Sequence, residues 1–112
     1  MARTRTQPLP AALQAYFDGV ASGDLDEAVS GFAVDSVIID VDRSIEGAQA
    51  IREWAADEVL GGVYDILEVT ERPGGVRVLL TFRPKGWKTG FRARYDVDVQ
   101  GDVIVRMDLQ YA

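Results

Sequence analysis

"VDSVIIDVDRSIEGAQAIREW", residues Val34 to Trp54, changes its period in mid-course. The part "SVIIDV" is β-branched and reads as a strand. The part that opens "GAQAIREWAADEVL" sets Ile51, Trp54, Ala55 and Val59 on one helical face and stops at Gly61-Gly62. A strand therefore hands over to a helix across one short turn, and a single carboxylate, Asp40, follows Val37, Ile38 and Ile39. By alternation that carboxylate faces solvent; held in a cavity instead, it is a candidate acid–base group.

Upstream, "PLPAALQAYFDGVASGD" follows two prolines and spaces Leu9, Leu13, Phe17 and Val20 as a helix does, with Tyr16 beside them. "GDLDEAVSGF" reads as a short second helix capped by Asp24, with acids in its first turn and Leu25, Ala28, Val29 and Phe32 inward. Downstream everything alternates: "VYDILEVTE", "VRVLLTFR", "FRARYDVDV" and "VIVRMDLQY" are strands joined by "RPGG", "PKGWKTG" and "QGD". The order is ααβαββββ, an α+β domain whose helices pack on one face of a curved antiparallel sheet.

The 112 residues fit one domain with room for a core and one small pocket, residues 1–7 forming a disordered arm. "MARTRTQ" lacks the apolar core of a signal peptide, and no apolar run reaches the roughly 20 residues of a membrane helix; a cytoplasmic address is the default. With no cysteine or histidine, thiol nucleophiles, zinc–thiolate sites and imidazole bases are absent, so acid–base work falls to Asp, Glu, Tyr, Lys or Arg. Neither metal nor cofactor is expected. A net charge of −6 argues against nucleic acid and anionic membrane as partners. The basic residues gathered between Arg72 and Arg94 read either as solvated strand faces or as an anion-binding patch.

"YFDGVASGDLDEAVSGFAVDSVIID" followed by "IEGAQAIREW" resembles the nuclear transport factor 2-like superfamily, within it the SnoaL-like and ketosteroid-isomerase-like proteins. The likeness covers nearly the whole chain and implies a cone, the sheet wrapping the helices around a pocket for a small molecule. It implies Asp40 as general base and Tyr16 as the phenol that donates to a developing enolate, with Asp96 as a second acid, a place open also to Asp98. Trp54 falls at an aromatic pocket position, and Phe17 is taken with it as substrate-binding.

The last two strands allow two facings. Plain alternation turns Val103, Val105, Met107, Leu109 and Tyr111 towards the helices and Ile104, Arg106, Asp108 and Gln110 to water. The register of SnoaL-like and limonene-epoxide-hydrolase-like proteins implies the inverse: Arg106 and Asp108 line the cavity, and the apolar row becomes an outer face buried in a homodimer. "FRARYDVDV" divides in the same way. The inverse facing is the expectation carried forward.

Three functions follow. The first is an isomerase- or cyclase-type enzyme on a cyclic carbonyl or polyketide-like compound; the second is a ligand-binding or dimerisation module without catalysis. The third is an epoxide-hydrolase-like enzyme that needs an arginine between two carboxylates. The superfamily holds all three kinds, so the fold alone does not choose.

Overall fold

Helix α1 (Ala11–Ser22) buries Leu13, Tyr16, Phe17 and Val20, the stripe its periodicity sets out. The computed structural model describes residues 8–112, and the arm expected at residues 1–7 lies outside them. A single turn of helix follows, α2 (Leu25–Val29), whose Asp24 cap accepts the Glu27 N–H at 3.1 Å as the sequence indicates. The remaining order is β1 (Phe32–Asp40), β2 (Arg43–Glu46), α3 (Ala48–Trp54), a π-helical turn (Ala55–Val59), β3 (Val63–Arg72), β4 (Gly75–Arg83), β5 (Phe91–Gln100) and β6 (Val103–Tyr111).

The six strands form one sheet in the order β2-β1-β6-β5-β4-β3. The meander β3 to β6 is the expected one. Two features depart from the expectation. The sheet is mixed, because β1 lies parallel to β6, and the turn after Asp40 closes a hairpin with β2. Strand β2 escapes pattern reading because it has four residues, three of them exposed and polar: Arg43, Ser44 and Glu46. Such a short charged strand suits the sheet edge it occupies.

One sheet face meets the helices. Val76, Val78, Leu80 and Phe82 of β4 and Ala93, Tyr95 and Val97 of β5 are buried there, with Ile38 of β1 beside them. The inward facing expected for the polar rows is therefore overturned for β5. Arg92, Arg94, Asp96 and Asp98 stand on the opposite face, where Arg77 grips Asp96 at 2.7 and 3.1 Å and Arg72 pairs with Asp98. Burial decides the facing: turning Tyr95 and Val97 outward to bring two aspartates and two arginines inward would forfeit about 25 cal/mol per Å² of apolar area and desolvate charge as well.

Strand β6 follows neither row intact. Asp98 stands opposite Arg106, yet Val99 stands opposite Ile104, so Val105 is an extra residue that bulges and reverses the alternation. Ile104, Met107 and Leu109 are consequently all buried, while Arg106 and Asp108 face outward, 3.8 Å apart at their charged atoms. The same level of β1 is irregular too: buried Ser36 accepts the Ala33 N–H at 2.8 Å and donates to the Ile104 carbonyl at 2.7 Å. The apolar row expected to form an outer, dimer-burying face is thus not outside: Met107 and Leu109 are buried, and the outer face carries Arg92, Arg94, Asp96, Asp98, Arg106 and Asp108. Among the described residues no helix is long and apolar enough to cross a membrane.

Candidate functional site

Asp40 reaches the inner face because it is two residues beyond Ile38 on β1, and even spacing keeps the side. The ladder then aligns it. Asp40 is opposite Leu109 of β6, and Leu109 is opposite Tyr95 of β5, so the three form one cross-strand row. Two strand spacings separate the backbones of Asp40 and Tyr95, roughly 10 Å, with Leu109 between them. A cavity of about 520 Å³ opens over this row, bordered by Asp40, Tyr95, Leu109, Trp54, Glu58 and Phe91 among others.

One carboxylate oxygen of Asp40 is held and the other is free. Oδ2 accepts the Trp54 Nε1–H at 3.2 Å and a guanidinium N–H of Arg43, whereas among the described residues Oδ1 accepts no hydrogen bond. Arg43 also forks onto Glu58, with nitrogen–oxygen distances of 3.0 and 2.6 Å. Glu58 comes within range because the chain widens after Trp54 into a π-helical turn, closed by the Leu60 N–H to the Ala55 carbonyl at 2.9 Å. Asp40, Arg43 and Glu58 therefore form one ionic cluster at the cavity mouth.

The β1–β2 turn behind this cluster is strained. Val41 has φ of 61°, a left-handed conformation disfavoured for a β-branched residue, and its N–H bonds the Leu109 carbonyl at 2.9 Å. Replacing Val41 by glycine is expected to stabilise the fold by up to about 1 kcal/mol, since the left-handed penalty exceeds the glycine entropy cost. Urea unfolding measures this, and a lower midpoint in the variant would show that the turn carries no strain.

Tyr95, which borders the cavity, is the outer member of a chain of three phenols. Tyr16 Oη lies 2.7 Å from Tyr64 Oη, which lies 2.9 Å from Tyr95 Oη. The rings are wedged together with Phe17, at 4.8 Å from Tyr64 and 5.3 Å from Tyr16 between centroids. Burial raises all three phenols above the usual tyrosine range, and the negative charge of Asp40 adds to the rise at Tyr16 and Tyr95. They are neutral donors at any physiological pH. Between the unfolded value near 10 and the higher folded values the unfolded chain binds fewer protons, so stability falls as pH rises above about 10. Phenolate absorbance of these three residues is expected to appear together with loss of far-ultraviolet circular dichroism. Their ionisation in a chain that keeps its dichroism would contradict this.

The residues singled out from the sequence are distributed as follows. Asp40 and Trp54 border the cavity; Tyr16 is fully buried at the inner end of the phenol chain, and Phe17 packs against that chain. Asp96, Asp98, Arg106 and Asp108 are on the outer face, so a second acid at Asp96 and cavity contacts by Arg106 and Asp108 are corrected. Tyr64, Tyr95, Arg43 and Glu58 were not found from sequence. Tyr95 had a signal, since it sits in the apolar row Ala93, Tyr95, Val97 next to Asp96. Among the described residues no group of three or more acids is arranged to hold a metal ion.

No protein-family model matches the chain, and no curated protein matches it. Solved structures do. The chain is similar to a Sinorhizobium meliloti protein assigned as a polyketide cyclase, with TM-score 0.79, 24% identity and coverage of 91% of this chain and 95% of that one. It is similar to a nuclear transport factor 2-like protein of Cytophaga hutchinsonii, with TM-score 0.79, 8% identity and coverage of 96% and 94%. It is also similar to a Catenulispora acidiphila protein with a ketosteroid-isomerase-like fold, solved with trimethylamine, at TM-score 0.77, 16% identity and coverage of 94% and 88%. The resemblance read from sequence holds at the level of fold.

Proposed function

On the premise that the chain has the nuclear transport factor 2-like fold, we propose that it is an acid–base enzyme acting on a small ring-bearing carbonyl compound, in the manner of an isomerase or cyclase. The observation that carries this reading is the row Asp40, Leu109, Tyr95, which sets a carboxylate and a neutral phenol at the border of one cavity. Asp40 Oδ1 is free to take a proton from carbon next to the carbonyl. As negative charge moves to the carbonyl oxygen, the Tyr95 O–H donates to it; Tyr64 donates to Tyr95, and Tyr16 to Tyr64. Each donation polarises the next, so the buried phenols strengthen the one that meets the ligand. The role first assigned to Tyr16 thus passes to Tyr95, with Tyr16 behind it.

Arg43 and Trp54 fix Asp40 by its other oxygen and keep Oδ1 aimed. The test is hydrogen–deuterium exchange at the α-carbons of a panel of cyclic ketones in D₂O, read by proton NMR. Exchange above buffer that disappears in Asp40→Asn supports the proposal, and a panel left at the buffer rate sinks it.

A second reading has one observation in its favour. Arg43 stands between the carboxylates of Asp40 and Glu58, the arginine between two carboxylates that the hydrolase reading needs. Opening of an epoxide with label from ¹⁸O water would select that reading over carbonyl chemistry.

A further inference from the structure

We propose that the ligand of this cavity carries a cationic group, an amine or quaternary ammonium, which rests against the aromatic mouth. The inference rests on the cavity being the ligand site, and not on Asp40 being a base. Six of the chain's ten aromatic residues border it: Trp54, Phe82, Trp87, Phe91, Tyr95 and Tyr111. Two of these are at the opening and largely in water, Trp87 at 56% exposure and Tyr111 at 67%. Both rings touch Phe91, at 6.2 and 5.5 Å between centroids, so they form a continuous aromatic rim. Exposed ring faces gathered in this way attract a cation through their quadrupoles.

The charges at the same mouth agree. Asp40, Asp42 and Glu58 border the cavity against Arg43 alone, a surplus of two negative charges, and no lysine borders it. Arg43 is already engaged by two carboxylates, Glu58 and Asp40, which offset its charge. The Asp42 carboxylate is exposed and has no partner among the described residues. An anionic ligand would be opposed by the negative field at this mouth; a cation would not. The chain's net charge of −6 acts in the same direction at longer range.

The experiment is a titration of the full chain with choline and, in parallel, with its uncharged carbon isostere 3,3-dimethylbutan-1-ol. Tryptophan emission reports both, since the chain's two tryptophans, Trp54 and Trp87, border the cavity. Choline is expected to bind about tenfold more tightly than the isostere, with the difference shrinking as salt is raised. Trp87→Ala removes an exposed ring from a loop and is expected to lose about tenfold in choline affinity; Asp42→Asn is expected to lose less while folding normally. Equal affinity for the two compounds, no saturable change with choline, or a choline affinity indifferent to both variants overturns the inference. In each of these cases an Asp40-dependent exchange of ketone protons would leave the proposed chemistry standing.

Discussion

Asp40→Asn is expected to lower the rate of α-proton exchange by about 10²- to 10⁴-fold, the range that a positioned general base contributes. The substitution keeps the size of the side chain and leaves an amide oxygen for the Trp54 indole N–H, so the local packing is retained. It removes the basic oxygen and the charge that Arg43 engages. Ligand affinity should change much less than rate, because the aromatic lining is untouched. The measurement is a pair: NMR exchange for the rate, and tryptophan emission for binding, on wild type and variant alike. An unchanged rate with unchanged binding would assign the cavity to a binding module, the second of the functions read from sequence. A rate loss matched by an equal loss of binding would mean that the variant has disturbed the site as a whole.

Gly19→Ala is expected to destabilise the domain by about 1–3 kcal/mol, seen as a lower urea midpoint. A methyl group at Gly19 would fall 2.3 Å from the backbone nitrogen of Ala28, 2.6 Å from its Cα and 2.8 Å from the Asp24 carbonyl. All three are backbone atoms of the capped turn that opens α2, so no side chain can swing aside. The helices must separate, and α1 carries Tyr16, which is fully buried against the rest of the phenol chain. Alanine's better helix propensity returns at most about 1 kcal/mol of the loss. A midpoint equal to wild type would show that the two helices are not held as closely as described.

The helices were legible because their signals are local. Leu13, Phe17 and Val20 repeat at helical spacing, Asp24 precedes acids as a cap should, and Ile51, Trp54, Ala55 and Val59 make one buried stripe despite the π-helical turn. The meander was legible for the same reason, since each strand pairs with its neighbour across a short turn. The parallel pairing of β1 with β6 joins segments more than sixty residues apart, and nothing in either segment announces the other. The bulge at Val105 was equally silent: an apolar residue that belongs to neither face breaks a period-two reading without leaving a mark in composition.

Legibility of the site follows the same division. Asp40 stood out because it is a lone acid after three β-branched residues, and the fold resemblance supplied the cavity side. Arg43 and Glu58 are ordinary surface residues in sequence, and only the hairpin and the π-helical turn bring them together. The phenol chain gathers Tyr16, Tyr64 and Tyr95 from a helix and two strands, a convergence that no spacing rule encodes. On β5 the amphipathic rule turns Tyr95 inward and Asp96 outward, and the strand follows it against the register that the resemblance implies.

Leu109 occupies the middle of the row between Asp40 and Tyr95, and it carries no chemistry of its own. Its side chain is the floor on which a ligand would lie, so its bulk acts as a gauge of how thick that ligand can be. On the proposed function, size selection and proton transfer would fall to different residues of the same row. A lineage could widen or narrow its choice of compound at this one position while keeping acid and phenol where they are.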